Sequence, residues 1–213
     1  MLVYTDCANE ADDQYALAHI FMTQKFDVRG IIAAHFDANS KGEWSPYKQG
    51  TTAQASLEEI NRVLDYMGLA GKYPVALGAG EPLADEATPQ ISEGAQMIID
   101  EAMHEDDRPL YIGCQGSITD LASAILMRPE ICERMTTIWI GGGDYPAGGF
   151  EFNLMQESER VDNFHMILAP RIDVETMNYI PCDTNREIRV YDYIDYRITL
   201  EDFFAKLAIN YRE

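Results

Sequence analysis

Basic residues are scarce in this chain. Sixteen Lys and Arg stand against 36 Asp and Glu in 213 residues, a formal net charge of −20. A surface that negative repels phosphate backbones and anionic lipid, so neither nucleic acid nor a membrane surface is expected as a partner. Neutral or cationic ligands and metal ions remain as expected partners, although much of the acid serves solubility alone. No apolar run approaches the roughly 18 residues that a membrane-spanning helix needs. Met1 leads directly into Leu-Val-Tyr with no basic segment before it, so no signal peptide is expected, and a cytoplasmic location fits best. The four cysteines, Cys7, Cys114, Cys132 and Cys182, include no C-x-x-C pair and no metal-finger spacing. Buried, reduced thiols are the expectation for such a set. Internal repeats and low-complexity linkers are also missing, as are histidine clusters and phosphate-cradling glycine loops, whose absence disfavours the other classes of metal-dependent hydrolase.

What remains is ordinary globular material, with 46% hydrophobic and 10% aromatic residues. The length suits one domain spanning 1–213. Short apolar runs alternate with longer amphipathic stretches, the pattern of βα units around a mostly parallel sheet. Strands are expected at Leu2–Thr5, Val28–Ala34, Tyr73–Leu77, Leu110–Cys114 and Thr136–Ile140. The run Ile31-Ile32-Ala33-Ala34 is apolar enough for burial on both faces. Helices are expected at Asp12–Phe26, Thr51–Leu69, Ser92–Met103 and Ile118–Leu126. Ala16, Leu17, Ile20 and Phe21 would form the inner face of the first, and Leu57, Ile60, Val63, Leu64 and Met67 that of the second. A long polar loop is expected over His35–Gly50. Beyond Gln156 the pattern suggests a helix to Leu168, a strand near Thr176–Ile180 and a helix over Leu200–Ile209.

Ligands of open α/β sheets bind outside the carboxyl ends of the strands. The loop after the first strand is the most unusual of these: Thr5-Asp6-Cys7-Ala8-Asn9-Glu10-Ala11-Asp12-Asp13 places four carboxylates within eight positions. So crowded, they repel one another, and a bound cation relieves the repulsion. Carboxylate oxygens favour Ca²⁺ or Mg²⁺ over a soft metal. Capping of the following helix by Asp12 and Asp13 accounts for part of the cluster, but not for Asp6 at the strand end.

T-D-C-A-N-E-A-D-D-Q-Y-A-L resembles the aspartate-rich signature of the nucleoside hydrolases, and more closely a group of nucleoside-hydrolase-like proteins whose signature runs T-D-x-x-N-E-x-D-D. Two later segments agree in order and spacing. Gly116-Ser117-Ile118-Thr119-Asp120-Leu121-Ala122, followed by Arg128-Pro129-Glu130, is similar to the family's G-P-L-T-N-L-A helix with its trailing proline. Thr136 to Gly143, then Phe150-Glu151-Phe152-Asn153, is similar to a strand, a glycine pair and an E-F-N motif at the sugar pocket. Together these segments span roughly residues 1–180.

The resemblance implies a Rossmann-like open sheet flanked by helices, shortened at its C-terminal end, and hydrolysis of N-glycosidic bonds in nucleosides or related ribosides. It implies Ca²⁺ as cofactor, with Mg²⁺ second, held by Asp6, Asp13 and the main-chain carbonyl of Gln115, and it makes Asp12 the general base. Glu151 and Asn153 would bind sugar hydroxyls, and a homo-oligomer is plausible by the same analogy. The loop departs from the family's D-T-D-P-G-x-D-D: five residues rather than three separate Asp6 from Asp12, and Tyr4 replaces the first Asp. Asn9 or Glu10 could therefore enter the metal or sugar shell. His35, Asp37 and Asn39 are the candidates for the pocket residue after the second strand. The family's late His-Asp pair has no counterpart; His165, Asp183 and Asp192 stand in other contexts. A non-catalytic carbohydrate- or nucleoside-binding protein that keeps the fold and the metal loop is the rival reading.

Overall fold

The computed structural model describes residues 1–23, 25–37, 45–141 and 152–158. The chain divides into two units, Met1–Ile172 and Asp173–Glu213, and every described residue belongs to the first. The elements expected beyond Gln156, the remaining part of the Gly141–Gly143 run, and Asn39, Glu151, His165, Cys182, Asp183 and Asp192 lie outside the described residues, apart from Gly141 itself.

Five strands and the helices between them follow the expected alternation. They are β1 (Leu2–Thr5), α1 (Ala11–Thr23), β2 (Gly30–Ala33), α2 (Thr52–Tyr66), β3 (Val75–Leu77), α3 (Glu93–Met103), β4 (Leu110–Cys114), α4 (Thr119–Met127) and β5 (Met135–Trp139). A 3-10 turn over Pro129–Glu133 links α4 to β5, and a short α5 covers Phe152–Ser158. The ends of β1 and β4 fall where expected, and the other ends differ by at most three residues, the usual slack where hydrogen bonding frays. At α3 the cap is explicit: the Ser92 side chain accepts from the Ala95 amide, so Ser92 stands just outside the helix.

All four strand pairings are parallel, in the order β3-β2-β1-β4-β5. β1 lies at the centre, and the chain reverses its direction of growth between β1 and β4. β1 and β2 are buried along their whole length, as continuous apolar runs in a sheet covered on both faces require. On one face Leu2, Tyr4, Ile32 and Ala34 join Ile98 and Ile99 of α3 and Leu121, Ala122 and Ile125 of α4 in one cluster. The alternation of the pleat sends Val3, Ile31 and Ala33 to the other face. There α2 packs against β2 and β3 and meets α1, burying Leu17, Ile60, Val63 and Leu64. Each such side chain removed from water contributes about 1.5–3 kcal/mol. The expected inner faces narrow in the structure: Leu57 of α2, Met67 just past its end, and Ala16, Ile20 and Phe21 of α1 are only partly buried. Among the described residues β5 is one of the two edge strands, and its burial alternates, with Ile138 exposed.

The stretch after β2 is not wholly a surface loop. His35, Phe36 and Asp37 are buried. Asp37 accepts from the Thr52 hydroxyl (2.6 Å) and the Gly50 amide (2.7 Å), which fastens this stretch to the start of α2. Cys7 and Cys114 are buried free thiols, as expected, and Cys132 is partly buried. No described helix is long and apolar enough to cross a membrane.

Candidate active site

The direction of the sheet changes between β1 and β4, the place where open α/β sheets carry their ligand crevice, outside the carboxyl ends of the strands. Asp6 follows directly on β1. The Asn9 amide donates to the Asp6 carbonyl (2.7 Å), closing a turn, and the Asn9 side chain donates to Asp6 Oδ2 (2.9 Å). α1 begins two residues later. The four acids of this loop then separate by burial. Asp6 is 3% exposed and Asp13 8%, whereas Glu10 and Asp12 lie open to solvent. Helical geometry makes this division, because adjacent residues in a first turn point about 100° apart.

Asp6 and Asp13 share a hydrogen bond between their side chains, and the Thr5 hydroxyl donates to Asp13 Oδ2 (2.7 Å). Two carboxyls in that contact cannot both be ionised unless a cation sits with them. Burial pushes Asp6 up to about 6, against the hydrogen bonds from its neighbours, which pull it down. Burial, followed by the charge of Asp6, holds Asp13 well above the ordinary carboxylate range.

β4 supplies the opposite wall. The Gln115 amide donates to the Tyr4 carbonyl (2.8 Å), carrying the ladder one step past the last strand pair. Gly116 lies against the Asp6 side chain so closely that a Cβ there would stand 2.4 Å from Oδ1. The Gln115 carbonyl accepts from Asn153 Nδ2 (3.2 Å), which also donates to the Ile140 carbonyl (2.7 Å). Asn153 therefore ties the ends of β4 and β5 together, and Trp139 Nε1 reinforces the tie by donating to the Gly116 carbonyl (2.9 Å). The side-chain oxygen of Gln115, Oε1, is buried with no hydrogen-bond partner.

His35 forms part of the wall above β2. Its Nε2 lies 2.6 Å from the Thr119 hydroxyl, and its Nδ1 accepts from the Asp37 amide (3.4 Å). An accepting Nδ1 leaves the ring proton on Nε2, so this network assigns a neutral imidazole. The Ser117 hydroxyl donates to the His35 carbonyl (2.9 Å).

The structure thus brings Asp6, Asp13, Asn9, Gln115 and Asn153 to neighbouring strand ends, with Asp12 and Glu10 on the outer side of the same loop. Sequence reasoning passed over Asp120. It is fully buried and accepts from the Tyr4 hydroxyl (2.6 Å), from the Ala79 amide (3.0 and 3.2 Å) and from the Ser92 hydroxyl, the α3 cap. Its own amide donates back to the Tyr4 hydroxyl (3.1 Å). One signal was present: this acid stands where the similar motif has asparagine. Burial lifts the Asp120 carboxyl above its usual range, and the donors around it oppose that rise.

Among the described residues no three His, Cys, Asp or Glu side chains converge as a metal-binding group. The donors at the crevice nevertheless fit a hard dication. They are two buried carboxyls that cannot both ionise alone and an amide oxygen lacking a donor, and such oxygen ligands suit Ca²⁺ or Mg²⁺. The nearest soft donor, Cys7, is held protonated by burial, which pushes its thiol far up.

The solved structures similar in fold include two hydrolases and an effector protein. An inosine-guanosine nucleoside hydrolase matches with TM-score 0.53 and 18% identity, over 80% of this chain and 57% of that one. A purine-preferring ribonucleoside hydrolase from Gardnerella vaginalis matches with TM-score 0.54 and 15% identity, over 78% of this chain and 56% of the other. The type III effector protein XopQ, solved in complex with adenosine diphosphate ribose, matches with TM-score 0.54 and 15% identity, over 79% and 54%. The chain therefore spans a little over half the length of the proteins it resembles. No curated protein sequence matches it. The model of the inosine-uridine preferring nucleoside hydrolases matches residues 2–163. With that match over most of its length, the chain belongs to the inosine-uridine preferring nucleoside hydrolase family.

Proposed function

We propose that this protein hydrolyses the N-glycosidic bond of nucleosides or related ribosides, with Ca²⁺ as its cofactor. The observation that carries the reading is the buried, hydrogen-bonded Asp6–Asp13 pair at the point where the sheet reverses, in a chain of this family. Asp6, Asp13 and the Gln115 carbonyl are the residues to hold the ion. When bound, it supplies Lewis acidity and an anchor for sugar hydroxyls.

The chain's own groups then have distinct tasks. Asp12, exposed beside the buried pair, accepts a proton from the attacking water. The water oxygen bonds to the anomeric carbon as the carbon–nitrogen bond breaks, and the base departs with the bonding electrons and takes a proton from solvent. Positive charge develops on the sugar as that bond lengthens, and the carboxylates of the loop stabilise it. Asn9, Glu10, His35, Glu151 and Asn153 are assigned to the sugar pocket, with Asn9 also fixing the orientation of Asp6.

The test is incubation with a panel of nucleosides and Ca²⁺, following release of free base and reducing sugar. Release by the parent protein, lost in Asp12→Asn with the fold intact, supports the reading. Binding of ribose without any turnover refutes hydrolysis and favours a binding module. Calcium should raise the melting temperature of the parent but not of Asp13→Ala, because a ligand specific to the folded state stabilises it. The absence of a shift with any divalent ion would remove the cofactor.

A further inference from the structure

We infer that the side-chain oxygen of Gln115, in addition to its main-chain carbonyl, is a ligand of the cation held by Asp6 and Asp13. The inference rests on the calcium reading above and deepens it.

Buried polar atoms in folded proteins almost always have a partner. Gln115 Oε1 has none. The register places this side chain. Tyr4 pairs with Cys114, and the ladder continues from the Tyr4 carbonyl to the Gln115 amide, so Gln115 stands beside Thr5. Neighbours in a parallel pair project to the same face of the sheet. Thr5 uses that face to reach Asp13, with its hydroxyl 2.7 Å from Oδ2. Gln115 is therefore on the side of the sheet where Asp13 enters.

The bonds already made divide the available oxygens. Asp6 Oδ2 is taken by Asn9 and Asp13 Oδ2 by Thr5. The main-chain carbonyl of Gln115 already accepts from Asn153. Oε1 is the neutral oxygen at this place with no donor to satisfy it. No third acid joins the pair among the described residues, so a further ligand from them is an uncharged oxygen. An amide carbonyl is an ordinary ligand for a hard cation.

Terbium luminescence tests this with the full chain, since Tb³⁺ replaces Ca²⁺ at oxygen sites and its lifetimes in H₂O and D₂O count bound waters. Gln115→Met keeps the length and removes the oxygen, and Gln115→Ala removes both. Melting in EDTA confirms that each variant folds. Both variants should bind Tb³⁺ and Ca²⁺ about tenfold more weakly, with one additional water on the ion. Unchanged affinity and an unchanged water count in Gln115→Met would overturn the assignment and leave the Asp6–Asp13 site standing. Failure of the parent protein itself to bind either ion would overturn the calcium reading and this inference with it.

Discussion

Replacing Gly116 by alanine is the sharpest perturbation of the crevice, because its cost follows from three distances. The added Cβ would meet Asp6 Oδ1 at 2.4 Å, Cγ at 2.5 Å and Cβ at 2.9 Å. The first is about 1 Å inside the 3.4 Å at which ordinary contact begins. Asp6 cannot simply swing away, since Asn9 and Asp13 hold its carboxyl and the residue is 3% exposed. The strand end must shift instead, and forced overpacking of this kind costs about 1–3 kcal/mol. For a chain of this size that is a fall in melting temperature of about 2–12 °C. Gly80→Ala is the control: its Cβ would meet the Gly50 carbonyl at 3.5 Å, an ordinary contact, and should change stability by less than about 0.5 kcal/mol. Differential scanning calorimetry in EDTA and then in Ca²⁺ measures both effects. Gly116→Ala should melt earlier and show a weaker calcium response, while Gly80→Ala keeps both. A Gly116→Ala protein that melts and responds like the parent would refute the close packing of β4's end on Asp6.

Asp120 should behave as a buried tie. Asp120→Ala strands the Tyr4 and Ser92 hydroxyls and the Ala79 amide, and should cost on the order of 3–5 kcal/mol in urea denaturation. Because burial raises the Asp120 carboxyl above 3.8, the folded state binds its proton more tightly than the unfolded state, so this group's contribution falls as pH rises from that value. Stability followed from about pH 4 to about pH 7 should therefore decline more steeply in the parent than in Asp120→Asn; parallel profiles would count against an ionising carboxyl at this place. Burial also pushes the Cys7 and Cys114 thiols far up, so mass spectrometry after brief maleimide treatment should find both unmodified in the native protein and modified in denaturant. Rapid native labelling of Cys7 would contradict the sealed loop.

The strand order explains why the acids after β1 matter more than those elsewhere. β1 is central, and the crevice opens where its two neighbours come from opposite parts of the chain. β2 follows β1 closely in the chain, but β4 arrives more than a hundred residues later and delivers Gln115 and Gly116 to Asp6. The same pairing brings Asp120 under Tyr4, so a buried hydrogen bond ties β1 to the start of α4.

Much of this was determined by sequence alone. Short apolar runs mark the five strands, because a sheet covered on both faces buries successive positions, and a 3.6-residue period marks the helices between them. The acidic loop and the later G-S-I-T-D-L-A segment were equally visible, since each is a local run of residues. Tertiary structure alone decided which acids are buried: α1's first turn directs Asp13 inward and leaves Asp12 outside, although they are adjacent in the chain. It also decided that Gln115 keeps a bare side-chain oxygen and that Asp120, in an apparently amphipathic helix, is sealed among hydroxyls and amides. Those outcomes depend on strands paired across long separations, and side-chain patterning carries no information about which strand will be the neighbour.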